Sequence, residues 1–158
     1  MNVLRPVAIK IGSIGWMPRF LPQIVACDNF VQRITGRRFS LLDLGGLPNI
    51  TLHVVGRRSG IARSTRLLAV PSGVDWLIAG SYFGGPDMPQ WVFNVRAANT
   101  VEIDVHGRRR TMTWRELDGD ERARAWAQMV TVWPNFDLYV ARTERQIPVF
   151  LLEPADSV

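Results

Sequence analysis

GRRSGIARSTRLL, Gly56 to Leu68, is the stretch around which the rest of the chain is read. Ile50 to Val55 reads as a strand entering it and Thr65 to Val70 as a strand leaving it, so the segment is expected to be the bend of a β-hairpin. A bend frees backbone N–H groups that a ladder would otherwise use. Gly56 and Gly60 can take the positive φ angles that let a backbone approach a ligand closely. Arg57, Arg58, Arg63 and Arg66 crowd the same bend, and guanidinium forks pair with phosphate or carboxylate. Two readings follow: a solvated basic tip that keeps an edge from aggregating, or an anion site. A phosphate-binding P-loop is excluded, because the stretch has no G-x-x-x-x-G-K-[ST] pattern and no lysine.

At 158 residues and 47% hydrophobic content the chain is long enough to bury a core without metals or disulfides. Cys27 is the single cysteine, which excludes an intrachain disulfide and a cysteine-based zinc cluster. With only His53 and His106 besides, no metal site is expected, and a reducing cytoplasm is the natural compartment. The formal charge of +5 and the pI of about 10.6 are nearly all arginine, since Lys10 is the only lysine. That balance favours an anionic partner: a phosphorylated small molecule, nucleic acid or a membrane surface. Gly12, Gly15 and Pro18 interrupt the leading apolar run before any cleavage site, and no uninterrupted run of about 18 apolar residues could span a bilayer.

Residues 1–38 read as an amino-terminal arm followed by an amphipathic helix, with Ile24, Cys27, Val31 and Ile34 on one face, Pro22 at its start and Gly36 at its stop. Basic residues interleaved with Trp16, Phe20 and Leu21 would allow this segment to touch a membrane surface. Residues 39–158 form the body. After the hairpin, Pro71, Ser72 and Gly73 predict a turn and Trp76 to Ala79 a third strand. Gly80 to Gln90 is a loop, and Pro89 opens a helix over 90–98. Val101, Ile103 and Val105 alternate as a strand, Gly107 turns it, and Arg108 to Leu117 returns. Asp118 and Glu121 have capping-box spacing ahead of a helix over about 119–130. A short helix carrying Phe136, Tyr139 and Val140 and a last strand over 147–152 complete the series. The order is not an alternating βαβ series, so the class is α+β, with five or six antiparallel strands closing into a small barrel and helices on its flanks.

Four segments together resemble the deazaflavin (F420)-dependent nitroreductase family of actinobacterial oxidoreductases: GRRSGIAR at Gly56, AGSYFGGPDMPQWVFNVRAAN at Ala79, VWPNFDLYVART at Val132 and IPVFLLEP at Ile147. SLLDLGGLPNITLHVVGR, ahead of the first, resembles the entry segment of one subgroup. The resemblance implies a split β-barrel like that of the FMN-binding proteins, a reduced 5-deazaflavin coenzyme in place of FMN, and hydride transfer to a small hydrophobic acceptor such as a quinone, an enone or a nitro compound. It places Arg57, Arg58, Ser59 and Arg63 on the coenzyme's phosphodiester and oligoglutamate tail. It lines the rest of the coenzyme with Arg63, Ser64, Thr65, Arg66, Leu67 and Leu68, with Ala79, Gly80, Ser81 and Tyr82, and with Gln90, Trp91, Val92, Phe93 and Asn94. Ser81 and Tyr139 are the hydroxyls expected near the reacting rings, and Trp133, Phe136 and Tyr139 the acceptor wall. Nitroimidazole-reducing members show more tyrosines in that wall, so an apolar acceptor is expected.

Two other readings use the same arginines. An FMN-dependent relative of the barrel would end in one phosphate and would not need so long a basic track. A non-catalytic module would bind an anionic ligand or membrane. Nucleic acid is disfavoured, because no RNP-like strand, zinc finger or helix-turn-helix is present. Serine hydrolysis is disfavoured too, for want of a G-x-S-x-G elbow.

Overall fold

The hairpin bend organises the sheet. A computed structural model describes residues 5–15, 17–20, 22–23, 26–27, 43 and 46–155. Helix α1 is Arg5–Gly12. The hairpin is β1 (Asn49–Val55) and β2 (Ala62–Leu68), followed by β3 (Val70–Ser72) and β4 (Asp75–Ala79). Helix α2 (Gln90–Arg96) precedes β5 (Val101–Val105) and β6 (Arg108–Glu116). Helices α3 (Gly119–Val132) and α4 (Asn135–Arg142) lead into β7 (Val149–Pro154). Short 3-10 turns occupy Met17–Phe20 and Tyr82–Gly84.

The strands form one sheet in the order β2-β1-β5-β6-β7-β4-β3, with every pairing antiparallel. β2 and β3 are its two edges, yet only Ala69 separates them in the chain. A flat sheet cannot place its opposite edges one residue apart, so this one curls until they meet. Ala69 is fully buried at that seam, and its N–H donates to Pro48 O at 3.1 Å. The result is the split-barrel architecture expected, with seven strands rather than five or six.

Curling gives the sheet an inside and an outside, and period-two alternation supplies a core to each. Ile50, Leu52, Val54, Ile103, Met112, Phe150 and Leu152 fill the inside, closed by Trp91, Val92 and Val95 of α2. Val70, Leu77 and Val149 face outward, where Met129, Phe136 and Tyr139 of α3 and α4 cover them. The two helical layers therefore lie on opposite faces of the sheet, and among the described helices α2 alone belongs to the inner one.

Local rules misplaced two features. Pro71, expected in a turn, pairs with Trp76 within β3; an edge strand tolerates proline because its N–H position can face away from the ladder. The turn falls at Gly73 instead, at φ +68°. Helix α3 starts where the Asp118 spacing put it, but Asp118 caps with no side-chain bond, and the Glu121 carboxylate is held by Arg115 at 2.9 Å. The amphipathic helix expected over 22–36 lies largely outside the described residues, as does the boundary at 38. The arm before it docks on the outer layer. Arg5 donates to Val132 O at 2.8 Å, Asn135 to Ile9 O at 2.7 Å and Arg142 to Ser13 O at 2.5 Å.

Candidate functional site

Between β1 and β2 the chain makes a tight turn. Gly56 N–H donates to Ile61 O at 2.8 Å and Gly60 N–H to Gly56 O at 2.8 Å, with Gly60 at φ +68°. A Cβ on Gly56 would stand 2.7 Å from Ser59 Oγ, a contact that a serine rotamer change relieves, and of the two glycines of the bend only Gly60 takes the expected positive φ. Ser59 Oγ accepts the Ile61 N–H at 3.3 Å, which commits the side chain in part to the turn itself.

The four arginines of the bend divide into two kinds. Arg57 locks the turn onto α2: its backbone N–H donates to Asn94 Oδ1 at 3.2 Å, and Nη1 reaches Asn94 Oδ1 and Gln90 Oε1, each at 3.3 Å. The guanidinium also stacks over the Phe93 ring at 4.7 Å. Arg66 is tied at the far side of β2, 2.6 Å from Asp43 and 3.3 Å from Thr51 Oγ1. Arg58 and Arg63, by contrast, are exposed and make no ion pair or hydrogen bond to a described residue.

Alternation also divides the six β2 residues that the family resemblance assigned together. Arg63, Thr65 and Leu67 pair across from Val54, Leu52 and Ile50, which are buried on the inner face beneath α2. Ser64, Arg66 and Leu68 point to the other face, away from α2. Ser64 Oγ lies 2.7 Å from His53 Nδ1, and Arg109 Nη2 lies 3.3 Å from His53 Nε2. A guanidinium only donates, so Nε2 accepts and Nδ1–H donates to the serine. That tautomer gives Ser64 no base, which argues against serine hydrolysis on geometry as well as on motif.

Opposite the turn, the loop after β4 borders α2 from its other side. Gly80 packs so closely that a Cβ would lie 2.8 Å from Val92 Cγ2 and 2.9 Å from Pro148 Cγ, and its N–H donates to Pro148 O at 3.0 Å. Tyr82, Phe83 and Gly84 follow at φ 45°, 55° and 77°, consecutive left-handed residues that only a well-anchored loop sustains. The anchor is Arg145, which donates to Gly80 O, Ser81 O and Gly85 O. Burial pulls its guanidinium pKa below the usual value, partly offset by Asp87. Sequence reasoning missed it, because its partners are main-chain carbonyls that no residue pattern marks. Ser81 and the exposed Tyr82 remain at the surface of this loop, and neither side chain hydrogen-bonds a described residue.

Helix α2 therefore lies between the arginine turn and the Ser81 loop. Gln90, Phe93 and Asn94 meet the turn. Trp91 and Val92 are core, with Trp91 edge-on to Phe150 at 5.8 Å. Ala79 belongs to the outward row of β4.

The three residues expected as the acceptor wall sit in the outer layer. Trp133, Phe136 and Tyr139 are all buried in the outer core. Tyr139 is 2% exposed, stacks edge-on with Phe83 and Phe136, and accepts the Trp133 indole N–H at 3.1 Å. These side chains support the Ser81 loop from beneath through Phe83 and do not line an open surface. Burial pushes the Tyr139 phenol up to about 12, against the opposing effects of the Trp133 bond and Arg142. Below pH 10 the phenol is neutral whether the chain is folded or not. Above it the unfolded chain ionises first, so about 2–3 kcal/mol of stability is lost as pH rises towards the folded value. Tyr139→Phe should remove that part of the alkaline slope in denaturant titrations and leave turnover near the parent. A tenfold fall in kcat with the slope intact would instead put the phenol at the reacting centre.

No group of three metal-binding side chains occurs among the described residues, and none of their helices is long and apolar enough to cross a membrane. One cleft of about 240 Å³ lies between α3 and the sheet, lined by Leu77, Leu117, Arg124 and Gln128.

The family described as F420H(2)-dependent quinone reductase matches residues 26–154. The F420H(2)-dependent quinone reductase Rv1261c of Mycobacterium tuberculosis is 30% identical over 141 residues, covering 87% of this chain and 95% of its own. A second protein of that organism, the putative F420H(2)-dependent quinone reductase Rv3178, is 31% identical over 108 residues, covering 68% and 91%. The solved structure of an F420-H2 dependent reductase (FDR-A) superposes with a TM-score of 0.62 at 34% identity, covering 67% of this chain and 94% of that one.

Proposed function

The chain belongs to the F420H(2)-dependent quinone reductase family, and from that premise we propose that it reduces a hydrophobic acceptor, of the quinone, enone or nitro class, with reduced coenzyme F420. The observation that carries this reading is the pair of exposed, unpaired arginines, Arg58 and Arg63, on a turn locked to α2 opposite the Ser81 loop. The residues fit the coenzyme's chemistry. Two cations on a solvent-facing turn suit a phosphodiester followed by carboxylates, whereas a single terminal phosphate, as in FMN, would leave part of that charge unused.

Bound there, the reduced deazaflavin supplies the hydride. The protein's part is position. Arg58 and Arg63 hold the charged chain, and Arg57 fixes the turn against Gln90, Phe93 and Asn94 so that the two cations keep one spacing. Thr65 and Leu67 continue the same strand face inward, and Leu67 adds apolar surface where it packs on the inner core. Ser81 offers a hydroxyl beside α2, the group best placed to hold a proton near the reacting rings. Titration of the purified protein with the deazaflavin, followed by its fluorescence beside FMN, tests the reading. Saturation by the deazaflavin alone is expected; no response to either would leave an anion-binding module.

A peripheral membrane contact of the arm also belongs to this proposal. Val7, Ile11 and Phe20 are exposed, among Arg5, Lys10 and Arg19. Replacing Val7 and Ile11 by glutamate should abolish co-sedimentation with phosphatidylglycerol vesicles and leave turnover of a water-soluble quinone unchanged. Equal sedimentation of parent and variant would leave the arm a packing element only.

A further inference from the structure

Residues 80 to 85 fold back on one guanidinium. Arg145, between α4 and β7, donates from Nη1 to Gly80 O at 2.9 Å, from Nη2 to Ser81 O at 2.9 Å and from Nε to Gly85 O at 3.1 Å. Carbonyls of one short loop thus converge on a planar fork that carries no acceptor and stays charged. A trans peptide unit points its C=O and N–H in opposite directions, and the described chain has no cis bond. Holding the Gly80 and Ser81 carbonyls therefore turns the N–H groups of Ser81 and Tyr82 away from Arg145. Neither N–H meets an acceptor among the described residues. Ser81 is right-handed at φ −73° and ψ −38°, and Tyr82 is at φ 45°. Successive amides in right-handed then left-handed conformation form a concave nest that binds electron-rich oxygen.

We propose that Arg145 is a positioning residue of this reductase: by pinning the loop's carbonyls it presents the Ser81 and Tyr82 amides as a donor pair for an oxygen of the coenzyme's ring system. This rests on the reading that residues 79–82 line the coenzyme. It assigns to a side chain on the far side of the loop a part in binding that contacts neither coenzyme nor acceptor. Lysine cannot replace it fully, because one ammonium nitrogen cannot occupy the three positions that the fork does.

The test uses the full-length chain labelled with nitrogen-15 and titrated with oxidised deazaflavin. Binding should shift the Ser81 and Tyr82 amide resonances in the parent. Arg145→Gln should raise the Kd about tenfold, the effect of one or two lost hydrogen bonds to a polar ligand, and should abolish both shifts. The salt dependence of Kd should be unchanged, because the charged-tail contacts remain, and Arg145→Lys should recover part of the affinity. Parent affinity in the folded Gln variant, or resonances of Ser81 and Tyr82 unmoved by binding in the parent, would overturn the proposal. If the Gln variant does not fold, the Lys variant and the parent's two amide shifts decide it. A parent that fails to bind the deazaflavin would overturn the functional reading itself, and is recognised before any variant is made.

Discussion

Alanine at both Arg58 and Arg63 should raise the Kd for the deazaflavin coenzyme by roughly a hundredfold at low ionic strength. A hydrogen bond to a charged group contributes about 1.5–3 kcal/mol, and the lower figure applies because both side chains are solvent-facing and screened. Each single substitution should account for about tenfold, and the two should add unless both arginines grip the same oxygen. The parent's affinity should fall steeply with salt, and the double variant's only weakly. Arg57→Ala should behave differently. It loses the Phe93 stacking and the bonds to Gln90 and Asn94, so affinity drops while the salt dependence stays close to the parent's. Fluorescence titrations from about 20 to 500 mM salt, within the range over which the screening length contracts several-fold, separate the two behaviours. Parent-like affinity in the double variant would remove the turn from the coenzyme site.

What the sequence made legible was local. Gly60 marks the bend, Pro89 marks the start of α2, and alternation marks β5, because each follows from the conformations open to a few adjacent residues. Asn94 of α2 meets the arginine turn through the Arg57 N–H, a pairing across 37 residues that no local pattern marks. The distinctions that matter to function are tertiary. Period-two alternation says that Arg63 and Arg66 point to opposite faces but not which face α2 covers; only the curl forced at Ala69 settles that. What surrounds Trp133, Phe136 and Tyr139 is a tertiary matter of the same kind. Their resemblance to a substrate-facing wall carries residue type and spacing, whereas burial depends on β3, β4 and β7 presenting an apolar outer face for the helix to cover. Introducing a phenol by Phe136→Tyr should accordingly destabilise the chain and leave its acceptor preference unmoved, since Phe136 is 2% exposed. Arg145 left no trace in the pattern at all.

The glycine that seats the Ser81 loop on α4 should be among the least replaceable residues in the chain. Gly84 sits at φ +77°, and a Cβ there would lie 2.7 Å from Tyr139 O, 2.8 Å from Arg142 Cβ and 3.0 Å from Tyr139 Cα. The backbone of α4 is not the movable end of a side chain. Phe136 and Tyr139 fix it in the outer core, while Asn135 and Arg142 fasten it to the arm. Gly84→Ala therefore combines about 1–2 kcal/mol for a left-handed alanine with a further 1–3 kcal/mol or so for overpacking. Gly73 provides the control. It has φ +68° and nothing within 4 Å of an added Cβ, so Gly73→Ala should incur only the conformational part. Urea denaturation with equal m-values reads the difference directly. The close approach also predicts a functional difference: displaced from α4, the loop should no longer hold Ser81 and Tyr82 in place beyond Gly80, which packs on Val92 of α2, and deazaflavin affinity should fall in the Gly84 variant alone. Equal destabilisation by the two alanines, with affinity unchanged in both, would show that the loop does not depend on this seat.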